Sequence, residues 1–141
     1  MRKTLVIFLA LAAQVFAGGF YLQLGNPEAN PEGRKLGAVL IVKATGCHDP
    51  ASAKLSATAI GDVNGQRRTV PIEVKNLAEP GAFALVGKWP KEGKWVIQIN
   101  AINGEQFTNT LVAAGPDGLD RLHAKANMKK FDNTDVDAML R

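Results

Sequence analysis

The sequence predicts an all-β protein, an immunoglobulin-like antiparallel β-sandwich of six or seven strands with a cleaved N-terminal signal helix and a short C-terminal helical tail. Two observations predict the sheet. Short apolar runs alternate with polar residues at the period of a half-buried strand, and Asn-Gly or Pro-Gly pairs separate them. A third observation, apolar residues at three- and four-residue spacing after Gly118, predicts the tail. A closed barrel is the alternative arrangement of the same strands.

Residues 1–17 have the layout of a secretory signal peptide. A basic start over residues 1–3 precedes an uncharged apolar run, and Ala17 provides a small residue directly before Gly18. The apolar stretch, residues 4–16, is shorter than the roughly 20 residues that a membrane-spanning helix needs. We therefore expect cleavage before Gly18, a periplasmic or secreted location, and no stable membrane span after cleavage. Retention of the segment as an anchor is the alternative.

Composition excludes a disordered chain, and the net charge argues against a nucleic-acid-binding protein. The 141 residues are 46% hydrophobic and 21% charged, which is typical of a globular protein and excludes general disorder. The net charge of +4 falls to +2 when Arg2 and Lys3 leave with the signal peptide. This excess is too small to predict a nucleic acid partner, whereas an unknown protein partner stays open. The single cysteine, Cys47, excludes an intramolecular disulfide, so burial of a core must stabilise the fold.

The mature chain divides into three segments in this interpretation. Residues 18–35 contain a short strand over 20–24, followed by a linker in which prolines and glycines disfavour both helix and sheet. Residues 36–115 form the β-sandwich domain, and its first strand is the buried apolar run at 36–44.

The third segment, residues 116–141, is the helical tail. Its apolar spacing predicts an amphipathic helix over 119–131. Thr134 is predicted to cap a final turn, because Thr-x-x-Asp at 134–137 resembles a capping box.

A hairpin around Asn64-Gly65 is predicted by both turn chemistry and hydrophobic pattern. Asn-Gly suits the type I′ turn, whose two central residues need positive φ. Pro71 removes a backbone donor and indicates a sheet edge. The register matches apolar residues on one face, pairing Val63 with Gln66, Ala59 with Val70, Ala57 with Ile72, and Leu55 with Val74.

Two more hairpins are predicted downstream. A turn at 90–93 is expected to pair the flanking strands, and Asn103-Gly104 opens the third hairpin. A bulge with one extra loop residue is expected in the third hairpin, because it keeps Phe107 and Leu111 on the same face as Trp95. The second hairpin would pair Trp89 with Trp95, Leu85 with Ile99, and Phe83 with Ala101.

Residues 80–99, PGAFALVGKWPKEGKWVIQI, combine a Pro-Gly turn, an aromatic strand and a Gly-x-Trp strand start. This stretch resembles part of the small exported or membrane-tethered bacterial immunoglobulin-like domains of the YtkA-like kind. The resemblance implies the sandwich fold and export. Members of that class are often auxiliary, and some occur near copper-handling or respiratory proteins. The resemblance implies no functional residue here, because no matching ligand motif is visible.

Cys47 and His48 form the most reactive pair in the sequence. A thiolate and an imidazole side by side can bind copper or zinc, and His123, Met128 and Met139 in the tail are further candidate ligands. The alternative is structural, with Cys47 buried at the edge of the sandwich and His48 in an ordinary turn. The structural interpretation is favoured, so no cofactor is expected, and copper bound by Cys47 and His48 is the alternative.

Catalytic motifs are missing from the sequence, so we expect no enzyme. Nucleophilic catalysis needs a base near the nucleophile, and only a distant pairing of Cys47 with His123 would supply one. The acids Asp132, Asp135 and Asp137 lack the spacing of a calcium-binding EF-hand loop and suit a helix N-terminus instead.

Two surface features remain as candidates for binding. Trp89 and Trp95 would form a stacking platform if they were exposed, although the predicted register places both in the core. A basic strip of Arg67 and Arg68 with Lys54 and Lys75 would contact an acidic partner. The function expected is therefore an exported, non-enzymatic β-sandwich that acts as a binding or accessory module. The alternative is a periplasmic copper-binding protein, and a hydrolase ranks third.

Overall fold

The structure, a computed structural model, describes residues 19–46, 49–115 and 118–141, so the expected signal helix lies outside the described residues. Nine strands and two α-helices are present in the described ranges. The strands are β1 Tyr21–Gly25, β2 Leu40–Thr45, β3 Lys54–Val63, β4 Gln66–Asn76, β5 Ala82–Val86, β6 Lys94–Asn103, β7 Gln106–Gly115, β8 Gly118–Leu119 and β9 Lys125–Asn127; the helices are α1 Pro31–Leu36 and α2 Asn133–Leu140.

The all-β prediction is confirmed, and the strands form one curled antiparallel sheet. The strand order is β1-β2-β5-β4-β3-β6-β7-β8, and β9 also pairs with β7. Strand β4 joins the two parts of the sheet, because residues 66–72 pair with β3 and residues 73–76 pair with β5. The sheet encloses a single main core, to which strands from both parts contribute.

The hairpin between β3 and β4 is confirmed over most of its length. Val63 pairs with Gln66, and the turn residues Asn64 and Gly65 have φ values of 52° and 76°, as a type I′ turn requires. The predicted pair of Leu55 with Val74 is wrong, because β4 stops pairing with β3 after Ile72. Pro71 lies in the stretch where β3 is the only neighbour of β4 among the described strands, which agrees with an edge proline. The pairs Ala59 with Val70 and Ala57 with Ile72 are observed, whereas Val74 pairs with Leu85 in place of Leu55.

The predicted pairing of β5 with β6 is wrong. Strand β5 lies between β2 and β4, and β6 lies between β3 and β7. The connection over residues 87–93 therefore crosses from one part of the sheet to the other. Phe83 and Leu85 still share the core cluster with Ile97 and Ile99. Two strands that bury residues in one core without pairing show the same alternation as two strands that pair, so the pattern could not separate the two arrangements.

The predicted bulge after Asn103 is also wrong. Asn103 pairs directly with Gln106, and the turn accommodates positive φ at Gly104, 60°. Leu111 consequently lies on the outer face of the sheet, opposite to Trp95, where α2 covers it together with Val96. The prediction assumed that only one face of the sheet would be apolar.

The linker predicted after β1 contains a helix. Asn30 caps α1, and its side chain accepts a hydrogen bond from the Gly33 N–H at 2.8 Å. Pro31 occupies the first turn, where a missing N–H costs nothing, and Gly37 ends the helix with φ of 69°. The prolines and glycines that indicated a linker therefore serve as helix boundaries. Strand β1 lies within one residue of its predicted position, and β2 begins at Leu40, four residues later than expected.

The helix predicted over residues 119–131 is wrong. This stretch contains β8, a 3-10 turn at Arg121–His123 and β9, and Leu122 has 93% of its surface exposed. The only α-helix described in the tail is α2. Its cap is Asp132 and not Thr134, because the side chains of Asp132 and Asp135 bond reciprocally to each other's backbone N–H at 2.9 and 3.0 Å.

The capping box also affects the ionisation of Asp132. The Asp135 backbone N–H donates to the Asp132 carboxylate and lowers its pKa from the ordinary value of 3.8. A lowered pKa means that the folded state favours the carboxylate. The cap therefore stabilises the fold above the ordinary pKa, and this contribution is lost as the pH falls through the folded-state pKa.

Trp95 is a core residue, as the sequence predicted, with 3% of its surface exposed. It pairs with Gly61 on β3 and with Ala114 on β7, and these two small residues leave room for its indole ring. The indole Nε1–H donates to the Glu92 carbonyl at 2.8 Å, so the one polar atom of the ring is satisfied. A Cβ atom at Gly61 would overlap with the ring of Trp95.

Replacing Gly61 with alanine is therefore expected to destabilise the protein by about 1–3 kcal/mol, because the added methyl group overpacks the core. Chemical denaturation of the two proteins measures the difference. Gly115→Ala is the matched control, since its Cβ would meet the nearest atom at an ordinary 3.7 Å. Equal destabilisation by both substitutions would show that the contact with Trp95 is not the cause.

Candidate binding cleft

The residues that sequence analysis singled out as metal ligands are not brought together in the described part of the chain. Cys47 and His48 lie outside the described residues. His123 is exposed, and its Nδ1 lies 2.8 Å from the Asp120 carboxylate. Met139 packs against the apolar cluster that α2 forms with Val96 and Leu111 on the outer face of the sheet, whereas Met128 is 65% exposed. No group of three or more His, Cys, Asp or Glu side chains with metal-site geometry occurs among the described residues.

The aspartates of the tail and part of the predicted basic strip are paired with other groups of the protein. Asp132 and Asp135 form the cap of α2, and Asp137 pairs with Arg67 of the predicted basic strip. The Nζ of Lys75 lies 3.7 Å from the carboxylate of Glu73. Part of the basic strip is thus neutralised by neighbouring acids, which weakens its attraction for an acidic partner.

The connection between β5 and β6, residues 87–93, is held close to the sheet at both ends. A side chain at Gly87 would lie 2.8 Å from Ile72 Cδ1, so glycine permits the close approach at the start. Gly93 has φ of 81°, and a Cβ there would overlap with the Asp62 carbonyl oxygen. Only glycine fits this position without strain. The connection therefore approaches the sheet closely at its two ends, with Trp89 between them.

Trp89 is half-buried and packs its ring against the main core. It lies outside the strands, whereas Trp95 belongs to β6, and it lines two neighbouring cavities. The first cavity, about 610 Å³, lies between the connection and β7 and is lined by Trp89, Pro90, Lys91, Gly93, Lys94, Trp95, Ala114 and Gly115. The second, about 460 Å³, lies beside β8 and is lined by Asn26, Pro27, Glu28, Ala38, Val39, Trp89, Gly118, Leu119 and Arg121.

We call these two cavities and the Trp89 side chain that they share the Trp89 cleft. Its described lining carries three cations, Lys91, Lys94 and Arg121, and one acid, Glu28. The Lys94 ammonium group donates to the Arg141 carbonyl at 3.1 Å, so Arg141 lies next to the cleft. An aromatic face beside a net positive charge suits a ligand that combines a flat or apolar group with an acidic one.

The hydrophobic pattern predicted Trp89 in the core and gave no indication of the cleft. The prediction of a β5–β6 hairpin put Trp89 opposite Trp95 and left no space between them. One feature of the sequence disfavoured this hairpin. Residues 87–93 contain a proline and two glycines and are long for a tight hairpin.

No protein family, no curated protein and no solved structure was found to match this chain. The interpretation of the cleft therefore depends on its own geometry. Within the described ranges, no helix has the length and apolar character needed to cross a membrane.

The two tryptophans are expected to differ in accessibility. In a Trp95→Phe variant, the remaining Trp89 should be quenched readily by acrylamide, because its ring lines an open cleft. In a Trp89→Phe variant, the remaining Trp95 should emit at shorter wavelength and resist quenching, because its ring is buried. Equal quenching constants for the two variants would contradict the description of the cleft.

Proposed function

We propose that this protein is an exported, non-enzymatic binding or accessory module whose partner docks at the Trp89 cleft. The curled sheet is interpreted here as an immunoglobulin-like sandwich, with β1, β2 and β5 on one side of the core and β3, β6 and β7 on the other. The composition of the core supports this interpretation, because residues of both groups pack together in one cluster. Export is inferred from the sequence of residues 1–17.

The observation that carries the proposal is the position of Trp89. A tryptophan that lines two cavities offers a large rigid surface, and such residues often dominate the energy of an interface. Trp89 packs against the main core, which holds this surface in place before a ligand arrives and lowers the entropy cost of binding. Trp89 belongs to no strand, so its ring takes no part in the hydrogen-bonded pairing of the sheet.

The charges of the cleft indicate the chemistry of the partner. Lys91 and Lys94 line the cavity on one side of Trp89, and Arg121 lines the cavity on the other side. A segment with an apolar or aromatic group flanked by carboxylates would place its ring on Trp89 and its acids near these cations. Such contacts favour the speed and specificity of association, and they weaken as the salt concentration rises.

The proposal is tested by cross-linking capture in the exporting compartment. The wild-type protein should capture a defined partner at low salt. Trp89→Ala should reduce the yield at least tenfold, because it removes the aromatic surface. Tyr21→Ala is the matched control, because Tyr21 is also an exposed aromatic residue, 47% accessible, but does not line the cleft.

Three results would decide against this function. Retention of the partner by the Trp89 variant would exclude the cleft as its site, and loss of the partner from the Tyr21 variant would show a general surface effect. The third result concerns the copper alternative. Stoichiometric copper in the protein isolated from the exporting compartment, lost in Cys47→Ser and weakened in His48→Ala, would favour the copper-binding function instead.

A further inference from the structure

Residues 121–130 form an exposed basic segment along the last edge of the sheet. The segment contains Arg121, Lys125, Lys129 and Lys130, and it has no acidic residue between Asp120 and Asp132. Every residue in it except Ala124 is exposed. We call residues 121–130 the basic edge segment.

Two large apolar side chains project from the same segment. Leu122 is 93% exposed and Met128 is 65% exposed, which makes them the most exposed large hydrophobic residues of the described chain. Neither residue lines the Trp89 cleft. Isolated apolar residues are common on protein surfaces, but two of them within ten residues of uncompensated positive charge give the segment the composition of a membrane-surface element.

The basic edge segment has a defined shape although it buries almost none of its side chains. Its strand β9 pairs with β7, and the Asp120 side chain caps the turn at Arg121–His123. The Lys129 backbone N–H donates to the Asn127 side chain at 3.1 Å. The backbone of the segment is therefore ordered by contacts within the protein.

The segment also lies beside the point where the described chain begins. A Cβ atom built on Gly19 would lie 3.6 Å from the Met128 Cε, so Met128 packs next to the start of the domain. In the sequence, Gly19 closely follows the apolar run of residues 4–16.

We propose that the basic edge segment binds the anionic surface of a lipid bilayer, with Leu122 and Met128 inserted among the headgroups and the four cations near the lipid phosphates. A bilayer surface can accept two separate aliphatic side chains that lie in no pocket, and it attracts basic residues by its negative potential. This inference does not depend on a partner at the Trp89 cleft. Of the residues that carry it, only Arg121 also lines the cleft.

The size of the effect follows from the charge. One Lys or Arg near an anionic membrane changes binding by roughly fivefold, so neutralising two cations should weaken binding by roughly 25-fold. The attraction is electrostatic and should fall steeply with added salt, because the screening length decreases to about 3 Å at 1 M.

The test uses protein recovered after export and two kinds of sedimented vesicle: phosphatidylcholine alone, and phosphatidylcholine with one third phosphatidylglycerol. The wild type should bind only the anionic vesicles. The double variant K129Q/K130Q should bind them roughly 25-fold more weakly. R34Q/K35Q is its matched control, because it removes an exposed adjacent pair from α1, and it should bind within about twofold of the wild type.

A second pair of variants tests the apolar contacts. L122S/M128S should weaken binding to the anionic vesicles at least tenfold, whereas Ile102→Ser, at a residue 47% exposed, should not. Circular dichroism checks that each variant is folded. Equal affinity for neutral vesicles, equal loss in both charge variants, or binding to polyglutamate without binding to anionic vesicles would overturn the proposal. None of these results depends on capture of a partner at Trp89.

Discussion

Strand β4 has two different neighbours along its length, and the closure of the core depends on this change of partner. Its first seven residues continue the hairpin with β3, and its last four pair with β5. The change occurs between Ile72 and Glu73, directly after the edge proline Pro71. Without it, β1, β2 and β5 would have no hydrogen-bonded link to the rest of the sheet, because the remaining pairs connect β1 to β2 and β2 to β5.

The same change of partner creates the Trp89 cleft. Once β5 pairs with β4, the chain must cross to reach β6, and residues 87–93 make this crossing over one end of the core. Trp95 fixes the far end of the crossing, because its ring fits over Gly61 and its indole N–H bonds to Glu92. Trp89 is left at the surface between two cavities. The strand order thus places the aromatic side chain of Trp89 where a ligand can reach it.

The sequence was informative wherever one local interaction decides the outcome. Asn64-Gly65 fixes its turn through backbone conformation, and the burial of Trp95 follows from strand alternation. It was uninformative where two arrangements bury the same residues. Strands β5 and β6 show this, because their alternation is the same whether they pair with each other or only share a core. Leu111 was misplaced because α2 provides a second apolar surface on the outer face. The role of Cys47 and His48, favoured as structural with copper binding as the alternative, stays a prediction, since these residues lie outside the described structure.

The core and the cleft both depend on the pairing of β5 with β4, and backbone NOE contacts in an NMR spectrum test this pairing. Cross-strand contacts are expected between residues 73–76 and 83–86, with Val74 opposite Leu85. No contacts are expected between the backbones of β5 and β6. Cross-strand backbone contacts between Leu85 and Ile99 would contradict this pairing, because they would restore the simple hairpin and remove the crossing that forms the cleft.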